Sequence, residues 1–316
     1  MKVLVVGDAM IDAYMWGTIN RESPEAPIPI VDIEKHEKRL GGAANVAINI
    51  KALGATPVLC SVIGNDDLGF VQLMKSENLS CQGLSFEDRK TTVKTRIISE
   101  GKHRLRVDEE DRFPISSEKN FIDKVSSLIK DVDVVIFQDY NKGVLTKNVI
   151  QKIIDLAKSH SIPTLADPKI ENYFSFKGVD LFKPNFNELC HSANEKIINT
   201  DIKKIETTVS HHKKALEANY FMLTLSEKGI YFSSDKSNKW FPAYDRNIVD
   251  VSGAGDCVIA TAALALASKL PSEYISQLSN LAGGLACEKV GVNPIEKSQF
   301  LNEASRLIPI HKTYSE

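Results

Sequence analysis

The sequence predicts an α/β fold: a mostly parallel central sheet covered by helices on both faces, with a small second sheet beside it. Three observations predict it. From Val132 onward, short β-branched runs alternate with segments of helical length, and strands alternating with helices build parallel sheets covered on both faces. The chain also opens on such a run, Lys2 to Val6, which ends in Gly7-Asp8, a first strand closed by a turn. Two segments, about 12–40 and 89–108, instead carry alternating apolar residues, and in the first Pro24, Pro27 and Pro29 interrupt any helix.

In order, Ala43 to Leu53 reads as a helix closed by Gly54, and Val58 to Ile63 as a second core strand. Thr91 to Arg106 alternates Val93, Thr95 and Ile97 against Lys94 and Arg96, an antiparallel pair turning near Gly101. With residues 12–40 it forms the small sheet. Strands follow at Val132 to Phe137, Pro163 to Ala166, Leu181 to Lys183 and Tyr220 to Leu225. Helices follow at Lys147 to His160, about 200–218, 254–268, 272–289 and 296–306. Nothing reads as a linker or repeat, so residues 1–316 make a single domain, with 12–40 and 89–108 as a lid.

Composition narrows the function classes. With 316 residues, 43% hydrophobic and 25% charged, the chain can bury a sizeable core. A net charge of -2 and no Lys/Arg tract give no reason to expect nucleic acid. Cysteines at 60, 81, 190, 257 and 287 form no CxxC pair, which suits reduced thiols in a cytoplasmic protein. The N-terminus reaches Asp8 too soon for a signal peptide, and no apolar run approaches a membrane span. The histidines show no metal-ligand spacing, and His211-His212 reads as a solvated helix face. GDAMID lacks the glycines of a dinucleotide fingerprint.

The chemistry concentrates in Asp250-Val251-Ser252-Gly253-Ala254-Gly255-Asp256, just before the apolar run Cys257 to Ala267. Small residues let the backbone approach an anion, and the N-terminus of the helix that follows aims N–H groups and partial positive charge at one spot. Asp256 in its first turn can take a proton from an attacking hydroxyl. A plain capped helix would use the same residues. The front of the chain adds Gly41-Gly42-Ala43-Ala44-Asn45, Leu53-Gly54-Ala55 and Ile63-Gly64-Asn65-Asp66-Asp67.

These segments, in this order and over nearly the whole chain, resemble the ribokinase (phosphofructokinase-B) family of small-molecule kinases. Ser23-Pro24-Glu25-Ala26-Pro27-Ile28-Pro29, Gln138-Asp139-Tyr140-Asn141-Lys142-Gly143, Asp167-Pro168-Lys169 and Lys183-Pro184-Asn185 look like its heptose 7-phosphate kinases. That group makes the 1,7-bisphosphate used for ADP-heptose and the lipopolysaccharide core. The likeness lapses at Glu100-Gly101-Lys102-His103, where that group commonly runs Arg-Asn-Gln-Gln. It lapses also at Val251-Ser252, where the family often has two threonines.

The resemblance implies a ribokinase-like fold, ATP and Mg²⁺, with room for a monovalent cation. It implies Asp256 as base and an anion hole at Gly253, Ala254 and Gly255. On the nucleotide side it implies Asn185, Glu188 (reaching Mg²⁺ through water), Ser226, Gly229 and Asn280. For the sugar phosphate it implies Asp12, Gly42 and Asn45, with Arg96 and Lys169, beside Arg104 and Arg106, as cations for the phosphate. A homodimer joined through the lids follows from it and from Ile28, Ile30 and Ile33. No second nucleotide-binding segment precedes Glu316, so the expectation is the kinase alone, with adenylylation by another protein. A kinase of another sugar or nucleoside, or a non-catalytic sensor on the same fold, stays open at this stage.

Overall fold

The structure, a computed structural model, describes residues 1–194 and 197–309. Strand β1 (Lys2–Gly7) is followed by the long strands β2 (Ala9–Glu22) and β3 (Pro29–Gly42). Helix α1 (Ala43–Ala52), β4 (Thr56–Gly64), α2 (Phe70–Ser76) and β5 (Leu84–Glu87) come next. The pair β6 (Val93–Ser99) and β7 (Lys102–Glu109) precedes α3 (Glu118–Ile129), β8 (Val134–Gln138), α4 (Lys147–Ser159) and β9 (Thr164–Asp167). Then follow β10 (Leu181–Phe182), α5 (Phe186–Ala193), α6 (Ile202–Leu216), β11 (Tyr220–Thr224), β12 (Ile230–Ser233) and β13 (Asn238–Phe241). Helices α7 (Ala254–Ala267), α8 (Ser272–Ala286) and α9 (Lys297–Leu307) complete the described chain.

Among the described residues the main sheet runs β13-β12-β11-β10-β9-β8-β1-β4-β5. It is parallel from β11 to β5 and antiparallel only at β11–β12 and β12–β13. Side chains alternate across a strand, and β1 shows what that does. Leu4 and Val6 enter one core with Phe121 and Val125 of α3, Ile150 and Ile153 of α4 and Val209 of α6. Val3 and Val5 enter the other with Val46 and Ile50 of α1 and Ile259 and Ala262 of α7. Burying each such side chain stabilises the fold by about 1.5–3 kcal/mol, so the sheet needs helices on both faces. Helix α7 is apolar almost all round because its far side packs on α8 and α9, with Cys257 meeting Leu281, Leu285 and Phe300.

The second sheet runs β3-β2-β6-β7. Strand β2 is antiparallel to β3 and parallel to β6, and β6 is antiparallel to β7. Residues directly opposite one another share a face, so Arg39, Asp12, Lys94 and Asp108 form one cross-strand row. That face is polar. Ile28, Ile33, Leu105 and Val107 are exposed.

Several elements differ from the sequence reading. Helices α2, α3 and α5 and strands β5, β12 and β13 add to it. His212 is buried, not solvated: its Nδ1 lies 3.1 Å from the Tyr173 hydroxyl. Burial, with neighbouring His211, pushes its pKa down to about 4. The five cysteines are free thiols, with Cys60, Cys257 and Cys287 buried.

Candidate active site

Helix α7 starts at Gly253, whose φ of 80° lies in the left-handed region, where a side chain is strained. The Ala254 N–H donates to Val251 O at 3.3 Å. The next two amides, of Gly255 and Asp256, stand in the first turn, where no preceding helical carbonyl can accept them. They and the positive end of the helix dipole face the same place. The sequence predicts an anion hole at Gly253, Ala254 and Gly255; of these three amides Ala254 is engaged, and Asp256 adds a further free donor.

Asp256 is 4% exposed. Its Oδ2 accepts from Asn45 Nδ2 at 2.6 Å, and its Oδ1 accepts from the Tyr140 hydroxyl at 2.8 Å and from Gln138 Nε2 at 3.2 Å. Burial dominates its ionisation and pushes the pKa up to about 7, with Asp167 adding to the rise. The bonds from Asn45 and Tyr140 and the charge of Lys183 pull the other way. A carboxylate with this pKa, fixed by three donors, is suited to take a proton near neutrality.

Two neighbours hold this arrangement. Lys183 Nζ pairs with Asp167 Oδ2 at 3.0 Å, and Gln138 Nε2 donates to Asp167 Oδ2 as well as to Asp256. Asp8 is buried at the end of β1 and accepts the backbone amides of Tyr140, Lys142 and Val144 at 2.8–3.1 Å. Those bonds fix the loop after β8 and so bring Tyr140 to Asp256. Gln138, Tyr140, Asp167 and Lys183 carried no role in the sequence reading. The signal was present in Gln138-Asp139-Tyr140 and Asp167-Pro168-Lys169, which served there only as points of resemblance.

The glycine pair after β3 serves close approach. A Cβ on Gly41 would stand 2.1 Å from Asp12 Oδ2, and one on Gly42, at φ +58°, 2.4 Å from Asp8 O. Gly42 starts α1, whose Asn45 reaches Asp256. Asp12 is buried and paired with Arg96 Nη1, and the Arg96 guanidinium lies 5.6 Å from the Tyr14 ring centre. Asp12, Gly42, Asn45 and Asp256 therefore belong to one connected region. Arg96 is not a free cation there, because Asp12 is its counter-ion.

Lys169 is paired as well. Its Nζ pairs with Glu188 Oε1 at 2.7 Å and lies 5.4 Å from the Tyr140 ring centre. Glu188 Oε2 accepts the Asn185 amide at 2.8 Å while Asn185 Oδ1 accepts the Glu188 amide at 2.9 Å. Asn185 and Glu188 thus form a capping box on α5. Both Glu188 oxygens are engaged within the protein.

On the other side, Ser226 and Gly229 form the tight turn between β11 and β12. Ser226 takes a left-handed φ of 51°, and a Cβ on Gly229 would stand 2.1 Å from Phe241 O. Asn280 is buried and donates to Pro242 O at 2.7 Å, which ties α8 to the end of β13. It is not an ordinary surface residue of its helix. Arg104 pairs with exposed Glu100, and Arg106 with Asp108.

A helix N-terminus with free amides beside a buried base agrees with what comparison shows. Residues 1–298 match the pfkB family of carbohydrate kinases. The chain belongs to this family. It is accordingly an ATP-dependent carbohydrate kinase. The bifunctional protein HldE of Helicobacter pylori strain G27 is 36% identical over 320 residues, covering 98% of this chain and 69% of that protein. HldE of Campylobacter curvus is 38% identical over 294 residues, covering 92% of this chain and 62% of that protein. The chain thus spans 62–69% of the length of these two relatives. Phosphofructokinase-2 from Escherichia coli, in complex with substrates and products, superposes with a TM-score of 0.79 at 15% identity, over 96% of this chain and 98% of that one. Arabidopsis thaliana ribokinase, complexed with ribose and ATP, gives 0.73 at 16%, over 95% and 97%. The fold of a pfkB kinase is therefore ribokinase-like, as the sequence predicts. No helix among the described residues is long and apolar enough to cross a membrane.

Proposed function

We propose that this pfkB kinase phosphorylates the anomeric hydroxyl of D-glycero-D-manno-heptose 7-phosphate, with Asp256 as the base. One observation carries the chemistry: a buried carboxylate, fixed by Asn45, Gln138 and Tyr140, stands in the first turn of α7 beside two free amides. Asp256 takes the proton of the attacking hydroxyl. The amides of Gly255 and Asp256 meet negative charge developing on the transferred phosphoryl group. ATP supplies that group, and Mg²⁺ neutralises charge on its phosphates when bound. No group of three His, Cys, Asp or Glu side chains suited to a metal is gathered among the described residues. This fits Mg²⁺, which keeps several waters and is held through nucleotide phosphates, with Glu188 or Asp167 reached through water. Asp12, Gly42 and Asn45 position the sugar, and the turn at Ser226 and Gly229, with Asn280 behind it, borders the nucleotide.

The heptose assignment rests on Ser23 to Pro29 and Asp167-Pro168-Lys169, and the HldE relatives support it. A panel with ATP tests it. Heptose 7-phosphate is expected to give kcat/KM at least about tenfold above ribose or fructose 6-phosphate, since a site built for one polar substrate rejects another through unpaired groups. A preference for either of the others overturns the assignment.

The small sheet acts as a lid that keeps water from the phosphoryl group, and two copies join through it. Ile33, Leu105 and Val107 are exposed on its strands and Ile28 on the connection just before β3, and uncovered strand surface of this kind invites a partner. Ile30→Glu is expected to shift the sedimentation of the chain to monomer at micromolar concentration and to raise the ratio of ATP hydrolysed to sugar phosphorylated. A wild-type chain that sediments as a monomer removes the dimer.

A further inference from the structure

A carboxylate that takes a proton must keep a lone pair open for it. An ionised carboxylate offers about two acceptor positions on each oxygen. On Asp256 Oδ1 both are filled, by the Tyr140 hydroxyl at 2.8 Å and by Gln138 Nε2 at 3.2 Å. On Oδ2 Asn45 Nδ2 fills one, at 2.6 Å, and no other bond reaches that oxygen among the described residues. The two oxygens also lie among different elements. Asn45 Nδ2 is 3.2 Å from where a Cβ on Gly253 would stand, so Asn45 joins Oδ2 to the loop that opens α7. Oδ1 is held from the end of β8 and the loop after it, and the same Gln138 nitrogen reaches on to Asp167 Oδ2.

Tyr140 is fixed at both ends. Its amide donates to Asp8 Oδ2 at 2.8 Å, and the amides of Lys142 and Val144 bond the same buried carboxyl. Its ring centre lies 5.4 Å from Lys169 Nζ, which Glu188 Oε1 holds at 2.7 Å. A cation at the ring draws electron density from the phenol, which makes the hydroxyl a stronger donor. We propose that Tyr140 is a positioning residue: it fills Oδ1, so that Oδ2 takes the proton of the attacking hydroxyl. This rests on the reading of Asp256 as the base. In that step the hydroxyl loses its O–H bond as its oxygen bonds the γ-phosphorus, the proton passes to Oδ2, and ADP leaves with the electrons of the broken P–O bond.

The same bond sets the pH at which the base is ready, because a donor to a carboxylate favours its charged form. Burial, with Asp167 of β9, lifts the Asp256 pKa to about 7, while the bonds from Asn45 and Tyr140 and the charge of Lys183 limit the rise. Burial, then the charges of Asp256, Asp167 and Asp12, pushes the Tyr140 pKa well above that of an ordinary phenol. Burial likewise pushes the adjacent Cys257 thiol up. Tyr140 therefore stays a donor throughout the range in which Asp256 titrates.

The test is the pH profile of kcat/KM from pH 6 to 9.5, with the full chain, ATP and whichever sugar of the panel the wild type uses best. A hydrogen bond to a charged group is worth about one pKa unit or more. Tyr140→Phe is expected to move the acid limb up by about one unit, lowering kcat/KM about fivefold at pH 7 and leaving it within about twofold of wild type at pH 9. Gln138→Met removes the longer bond to the same oxygen and should move the limb the same way by less; it stands in if Tyr140→Phe does not fold by thermal melting. An unmoved limb would overturn the proposal. So would an equal loss at every pH, which a ring that only packs would give. A plateau above wild type would make Oδ1 the reactive oxygen, obstructed by Tyr140, and would overturn it too. Asp256→Asn beside these keeps the two readings apart, since near-wild-type turnover there removes the base itself, whatever Tyr140→Phe does.

Discussion

Asp256→Asn is expected to lower kcat by about 10²–10⁴, the usual worth of a positioned general base, while melting temperature and nucleotide affinity stay near wild type. The amide is isosteric, and the surroundings can accept it. Its oxygen can take the place of Oδ2 and accept from Asn45, and its nitrogen the place of Oδ1, where the Tyr140 hydroxyl oxygen accepts from it once that hydroxyl turns and the Gln138 bond is given up. The same carboxylate sets the pH dependence. Burial first, then Asp167, lifts its pKa to about 7, and only the ionised form accepts a proton. Wild-type kcat/KM should fall about tenfold per pH unit below 7 and level off above it, and the Asn variant should lack this limb. Steady-state rates from pH 5.5 to 8.5 check both statements. Near-wild-type turnover in the Asn variant would take the role from Asp256.

The glycine loop before α7 was legible because its meaning is local: a run of small residues, an acid, then an apolar helix. The alternation of strand and helix after Val132 was legible for the same reason. Phe121, Val125 and Ile129 also repeat at helical spacing and bury one face of α3, so that helix could have been read. Strands β5, β12 and β13 have four residues each, too few for a periodicity to show. The partners of a charged side chain were not legible at all. Arg96 meets Asp12 and Lys169 meets Glu188 across 84 and 19 residues, and nothing in the spacing of either pair announces it. His212 is a similar case, since only the fold brings Tyr173 to it. Asp8 and Asp12 are four residues apart, a spacing that allows a structural role for the first: Asp8 accepts three loop amides, while the partner of Asp12, Arg96, comes from another strand.

Gly255→Val should separate stability from activity in opposite directions. Gly255 sits inside the first turn of α7 and does not need a left-handed backbone, unlike Gly253. A Cβ there would lie 3.8 Å from both Asp167 Oδ2 and Lys183 Nζ, which is ordinary contact. The helix therefore tolerates a side chain, and removing a helical glycine tends to stabilise by about 0.5–1 kcal/mol for alanine, less for a β-branched residue. The two methyls of valine, however, reach past Cβ toward the Asp167–Lys183 pair and over the free amides of Gly255 and Asp256. A phosphoryl group that must approach those amides loses its place. The expected result is a kcat lower by about 10²–10³, the cost of losing an anion-stabilising donor, with weaker nucleotide binding and an unchanged or slightly higher melting temperature. Gly255→Ala should show the same signs with a smaller loss. Calorimetric titration with a non-hydrolysable nucleotide, beside a thermal melt, reads both halves. A folded valine variant that binds nucleotide and turns over normally would mean that the phosphoryl group does not pass the N-terminus of α7.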